Sequence, residues 1–227
     1  MSVLGELQPN KVFQYFEEIC AIPHGSRNLQ QISDYLVDFA KAHGLKYRQD
    51  EDLNVIIWKD GSKGYEDSDS VILQGHMDMV AVKESDCDKD MEKEGLDLEI
   101  DGDYILAKGT SLGGDDGIAV AYTLAVLDDE EMAHPPIEAI FTVNEEIGML
   151  GAAAIDVSDL KGRLFMNMDS EDEGVFTVSC AGGASVICKI PYETETVNAS
   201  VIEIKMDGFT GGHSGVEIIK GRMNCLL

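Results

Sequence analysis

Between residues 10 and 20 the apolar side chains Val12, Phe13, Phe16 and Ile19 recur at helical spacing, which predicts a helix over 10–20. Pro23, Gly25 and Ser26 interrupt the chain. Asn28, with Gln31 three residues on, is placed to cap a second helix whose stripe is Ile32, Tyr35, Leu36 and Phe39, and Gly44 stops it. The period then shortens. Residues 54–58 and 71–74 are short runs rich in β-branched residues and read as strands; 118–127 is a buried helix, 137–143 a strand, 148–154 a short helix and 164–168 a strand. This alternation predicts an α/β fold, a mainly parallel sheet with helices on both faces. From Gly174 the texture changes: 175–179, 185–190 and 201–206 read as consecutive strands, and Ser214 with Glu217 forms a capping box for a further helix. A boundary near Glu173 gives one domain over 1–173 and the start of an α+β piece over 174–227.

Composition removes several function classes. The 227 residues are 44% hydrophobic and 26% charged, which is globular. Seventeen basic against 43 acidic side chains leave a net charge of −26, which repels phosphate backbones and anionic lipid. Neither a nucleic acid nor a membrane is therefore an expected partner. The longest apolar stretch, 118–127, is broken by Thr123 and far short of a membrane span, and no basic start leads into an apolar run. Five scattered cysteines without a CxxC pair suit reduced thiols and a cytoplasmic setting. Residues 84–103 are acidic and loop-like. Asp86, Asp88 and Asp90 resemble the start of a calcium loop, but Met91 stands where the turn needs glycine, so a solvated loop is the better reading.

Four segments place acidic or imidazole groups directly after apolar runs, where open α/β sheets bind ligands. In the first, His76 and Asp78 are two apart, so an extended chain points them to one side, and a carboxylate there can steady a ligating imidazole. In the second, Asp115 and Asp116 follow Gly113-Gly114 and precede the apolar helix; ordinary helix N-terminal acids are the competing explanation. The third ends in Glu145 and Glu146, which repel one another unless a cation or proton intervenes, and which as neighbours can divide ligation from proton handling. In the fourth, Asp169 is the first acid past its strand. Each alone also reads as solvated surface charge. Together, one histidine and several carboxylates at successive strand ends suit zinc, manganese or cobalt in a hydrolytic site, with two ions polarising a carbonyl and supplying hydroxide.

His76-Met-Asp78-Met-Val, Gly109-Thr-Ser-Leu-Gly-Gly-Asp115-Asp116-Gly, Asn144-Glu145-Glu146-Ile-Gly and Met168-Asp169-Ser-Glu resemble the motifs of the dinuclear zinc aminopeptidase, carnosinase and aminoacylase superfamily. Ile100-Asp-Gly-Asp-Tyr104, Ser179-Cys-Ala-Gly-Gly183 and Gly211-Gly-His213-Ser-Gly215 are similar to its aminoacyl-histidine dipeptidase branch in particular. The resemblance implies a zinc-peptidase catalytic domain over 1–173 and the beginning of a lid domain over 174–227. It implies two divalent ions, zinc or else manganese or cobalt: His76 and Asp169 on one, Asp115 bridging, Glu146 on the other. Asp78 then orients His76 and Glu145 is the general base. A cis peptide between Asp115 and Asp116 is also implied. His213 is expected to reach a partner subunit's site and stabilise the oxyanion, although its glycine-flanked loop also reads as purely structural. The implied substrate is a dipeptide, Xaa-His and broader, and the family's lid admits a homodimer for the full-length form.

One part of the family pattern is missing. Its last metal ligand is a histidine near the C-terminus, and nothing after Asp169 other than His213 supplies one here. The expectation is an N-terminal part of a longer enzyme, inactive or nearly so by itself. An N-acyl amino-acid deacylase or desuccinylase of the same superfamily, or a non-catalytic metal-binding fragment, are the alternative readings.

Overall fold

In a computed structural model the described residues are 2–170, 174–179, 187–196, 198, 200–210 and 220. Met1–Glu171 and Asp172–Leu227 form two compact units. The first opens with α1 (Asn10–Cys20), whose predicted apolar face is buried through Val12, Phe16 and Ile19, and α2 (Gln30–Ala42). Asn28 does not cap α2: Leu29 holds the cap position without a side-chain hydrogen bond, and the Asn28 amide donates instead to the Glu92 carbonyl at 2.8 Å. Gly44, at φ 65°, ends the helix as expected, with the Leu45 N–H reaching back to the Ala40 carbonyl.

The strands β1 (Lys46–Gln49), β2 (Val55–Lys59), β3 (Val71–His76), β6 (Ile137–Thr142) and β7 (Leu164–Asn167) make one sheet in the order β1-β2-β6-β3-β7. Its centre is parallel, β6 and β7 both running with β3, while β1–β2 and β2–β6 are antiparallel. The sheet is thus mixed. β1 carries no apolar alternation because its side chains lie exposed or half-buried at an edge. β4 (Leu98–Asp101), within the stretch read from sequence as loop, and β5 (Tyr104–Ala107), just after it, form a separate hairpin. Its two-residue turn starts at Gly102, φ 60°, so Asp101-Gly102-Asp103 between alternating apolar residues was the available signal.

β6 is buried along its whole length, with successive residues on opposite faces. One face, carrying Val55, Ile57, Leu73, Ala139 and Phe141, packs with α1, α2 and the third helix, α3 (Gly114–Asp128), into the main core. The other face, with Ile56, Ile72 and Ile140, is covered among the described residues by Trp58, Ile155 and Leu160, the last two following the short α4 (Leu150–Ala154). The long helices therefore share one face of the sheet instead of two. α1 and α2 precede the first strand, and β1 joins β2 by a tight reversal that needs no crossover helix on the far side.

Two buried polar groups hold the ends of β6 and β7, the first on the side of the site and the second on the opposite side. Asn54 accepts the Val143 N–H at 3.1 Å and donates to Asp50 at 2.8 Å and to the Gly151 carbonyl at 3.3 Å, tying the end of β6 to α4. Glu138, on β6, accepts the backbone N–H of Lys161 and Gly162 and so directs the chain into β7. β7 is the outermost strand, and Leu164, Phe165 and Met166 are half or more exposed.

In the second unit the stretches 175–179 and 201–206, expected as strands, form no ladder among the described residues, and Phe176, Val178 and Val201 are at least 90% exposed. Strand propensity expresses itself through pairing and burial, and among the described residues these stretches show neither. Part of 185–190 and the helix capped by Ser214 lie outside the described residues. No helix among the described residues is long and apolar enough to cross a membrane.

Asn54→Ala leaves the Val143 N–H and Asp50 without this buried partner. A loss of about 2–3 kcal/mol in unfolding free energy is expected by urea denaturation, against less than about 0.5 kcal/mol for the exposed Asp67→Ala.

Candidate metal centre

The three parallel strands end at one rim. β3 terminates in His76; β6 leads through Asn144 to Glu145 and Glu146; β7 leads to Asp169. The ladder runs on past its named ends, with Met77 N–H donating to Thr142 O at 2.9 Å and Met168 N–H to Gln74 O at 3.2 Å, so the three exits stay in register. The fourth contribution comes from the start of α3. Gly113 takes φ 69°, Asp115 and Asp116 have non-helical dihedrals, and the peptide bond between them is cis.

His76 is 1% exposed. Its Nδ1 lies 2.9 Å from the main-chain oxygen of Asp78 and its Nε2 3.0 Å from Asp115 Oδ1; both oxygens only accept, so without a metal both ring nitrogens donate, and the Nε2 proton is the one an ion would displace. Asp78 thus meets the ring through its carbonyl, its carboxylate standing 3.6 Å from Nδ1. That carboxylate, also 1% exposed, accepts from the Ser26 hydroxyl at 2.8 Å and from the Glu145 N–H at 3.0 Å. Ligand atoms of His76, Asp115 and Glu146 all lie within 4.8 Å of one another, slightly wider than the roughly 4.4 Å that two donors of one ion can span at about 2.0–2.2 Å each, so small side-chain adjustments would bring them to ligation distance. Nitrogen and carboxylate donors without thiolate fit zinc or manganese.

Glu145 reaches the same point, with Oε2 3.9 Å from His76 Nε2. The two glutamates do not aim apart as they would on a strand: Asn144 takes φ 54° and the chain turns, bringing both towards the imidazole. Asp169 lies outside the three-residue cluster, but its charge is felt by both Asp116 and Glu145. His213, expected from the lid motif, lies outside the described residues.

The electrostatics report an excess of negative charge. Burial alone would depress the His76 imidazole, but hydrogen bonding to Asp115 and Asp78 and the charges of Asp116 and Asp78 reverse this and raise it to about 11. Burial raises Glu145 and Glu146, and neighbouring carboxylates add to it. Asp78 is held below the usual carboxylate range: burial opposes this, but His76, the Glu145 amide and Ser26 outweigh it. In the metal-free chain a protonated His76 balances these carboxylates; a neutral imidazole among them would need a cation in place of that proton.

Asp116 is the group that sequence reasoning passed over. It is 2% exposed, accepts the His76 backbone N–H at 3.1 Å, and burial with the charges of Asp169 and Asp115 pushes it up to about 7 despite the opposing effect of His76. Its partner Asp115 is the exposed one, with 60% of its side chain accessible. The glycine before His76 is what lets Asp116 in: a Cβ on Gly75 would lie 2.8 Å from Asp116 Oδ2 and 2.9 Å from Ala119 Cβ. His24 and His134 are buried and each bonds a nearby carbonyl, and His43 stacks on Phe39 and pairs with Asp128.

No protein-family model matches the chain. It is 38% identical over 226 residues to the cytosol non-specific dipeptidase of Escherichia coli K12, an alignment that covers 99% of this chain. The aminoacylhistidine dipeptidase of Vibrio alginolyticus superposes with a TM-score of 0.73 at 42% identity over 75% of this chain. The chain is a homologue of these dipeptidases. It spans 47% of the length of the Escherichia coli protein and 35% of the Vibrio chain. A Staphylococcus aureus tripeptidase, 24% identical with a TM-score of 0.61 over 74% of this chain and 45% of its own, shares the fold. The dipeptidase relatives are hydrolases of peptide bonds by name, and the α/β fold and the ordered strand-end motifs are the ones this homology accounts for.

Gly75→Ala is expected to force Asp116 off the His76 N–H. Overpacking of this kind costs about 1–3 kcal/mol, and the loss should appear in urea denaturation together with a shifted His76 backbone amide resonance.

Proposed function

We propose that this chain carries the catalytic metal centre of a cytoplasmic dipeptidase acting on Xaa-His and other dipeptides. The observation behind this reading is the gathering of His76, Asp115 and Glu146 donor atoms within 4.8 Å at the carboxyl end of three parallel strands, in a chain homologous to dipeptidases. His76 and Asp169 would hold one ion, Asp115 would bridge, and Glu146 would hold the second. Zinc fits this donor set, with manganese or cobalt as substitutes. Such ions supply Lewis acidity and lower the pKa of water.

The chain's own groups do the rest. His76 keeps Nδ1–H on the Asp78 carbonyl and leaves Nε2 for ligation. Glu145, anchored by its N–H on Asp78 Oδ1, has a carboxylate raised by burial and by neighbouring acids, which strengthens it as a base. It takes a proton from the water that attacks the peptide carbonyl and returns it to the departing amine, so the dipeptide leaves as two amino acids. Asp78 orients the imidazole and the base together. His213 is assigned to oxyanion stabilisation, in a homodimer assembled through residues 174–227 as a lid.

Metal content per chain, measured after loading with Zn²⁺ or Mn²⁺, tests this together with Xaa-His hydrolysis. Bound metal is expected to fall in His76→Ala and Asp115→Ala. Glu145→Gln should keep its metal and lower whatever Xaa-His turnover the unaltered chain shows by about 10²–10⁴-fold; with the family's last histidine ligand missing, that starting turnover is expected to be low. A folded chain that takes up no divalent ion would overturn the reading.

A further inference from the structure

The loop between α1 and α2 is built against the segment that leaves β3. Met79 donates its N–H to the His24 carbonyl at 3.2 Å and accepts the Ser26 N–H at 3.2 Å, so Gly25 and Met79 pair as in a parallel ladder. The approach is close enough that a Cβ on Gly25 would come 2.6 Å from Ala81 Cβ. This docking sets Ser26 beside Asp78, where its hydroxyl donates to Oδ2 at 2.8 Å. The next residue, Arg27, takes φ 72° and donates its backbone N–H to Asn144 Oδ1 at 2.8 Å. Asn144 in turn makes the left-handed step, φ 54°, that precedes Glu145. One short loop therefore touches both segments that deliver the imidazole and the base.

Asp78 is where these contacts meet. A carboxylate this deeply buried is costly unless its oxygens are satisfied. Oδ2 takes the Ser26 hydroxyl and Oδ1 takes the Glu145 N–H, with the His76 ring 3.6 Å from Oδ1. Without the hydroxyl, Oδ2 lacks that donor, and the carboxylate gains by rotating about its Cβ–Cγ bond. The same rotation carries Oδ1 away from Glu145.

We propose that Ser26 is a positioning residue, whose hydroxyl holds the Asp78 carboxylate in the orientation that anchors the Glu145 backbone and backs His76. Its functional meaning rests on the metal-hydrolase reading above, but its geometric content does not. Amide hydrogen exchange on the metal-free chain reads that content. In Ser26→Ala the Glu145 amide should exchange about tenfold faster while those of Leu73 and Ala139, inside β3 and β6, are unchanged; Ser26→Thr, which keeps the hydroxyl, should restore the slow rate. Unchanged exchange at Glu145 overturns the proposal, and so does an equal acceleration at all three amides, which would mark general loosening. Co²⁺ titration gives the second readout: affinity should fall about tenfold in Ser26→Ala, the usual scale for groups that orient a metal ligand. If the unaltered chain binds no Co²⁺, the metal-hydrolase reading fails while the exchange rate at Glu145 still decides the role of Ser26.

Discussion

Everything about this chain's first unit turns on a buried imidazole enclosed by acids. His76 is all but inaccessible, faces Asp115 with one nitrogen, and has Asp78 and Asp116 packed against its ring and its backbone. Such an arrangement is stable only with positive charge at its centre, from a proton on the ring or from a metal ion beside it. The rest of the fold supplies the backbone geometry that holds the acids in place. Parallel pairing of β3 with β6 and β7 aims three chain exits at one rim, and the break at the start of α3 adds a fourth. Asn54 pins the exit of β6, and Glu138 fixes the entry of β7 at the opposite end, both through buried hydrogen bonds.

Within the acidic cluster, distance and burial separate tasks that the side-chain types alone leave merged. Asp115 and Asp116 are neighbours in sequence, yet one is mostly accessible and near Nε2 while the other is buried and holds a backbone N–H. The first can meet a cation; the second fixes the strand end that carries the histidine. Glu145 and Glu146 both face inward because Asn144 turns the chain before them. Asp78 offers its carbonyl to the ring and its carboxylate to the chain around it, so one residue orients two segments.

The elements that bury a continuous apolar face were legible in the sequence. α1 has its predicted bounds, and β3 and β6 agree to within two residues, because their periodicity is enforced by the core they share; β7 agrees to within one residue although its side chains are exposed. β1 was not legible: Lys46-Tyr-Arg-Gln49 sits at a sheet edge, and its pairing comes from β2 instead of its own pattern. The β4–β5 hairpin was hidden by the acidic residues around it, although its Asp-Gly turn was in view. The site was readable to the level of which strand ends carry chemistry, since ligating side chains are recognisable by type. The inward Asp116, the carbonyl contact from Asp78 and the involvement of Ser26 depend on three-dimensional approach, which linear spacing does not encode.

The order of strands has a consequence for how the molecule comes into being. Val71 pairs with Ile137, and between them lie the β4–β5 hairpin and all of α3. Closing so large a loop is entropically slow, and β7 can join only after β3 is exposed to receive it. Glu145, Glu146 and Asp169 meet His76 only through these long-range pairings. Their mutual repulsion is therefore a cost of docking the central strands. A divalent cation in the surrounding solution would then act on that docking, favouring the closed sheet by occupying the charge focus that closure creates.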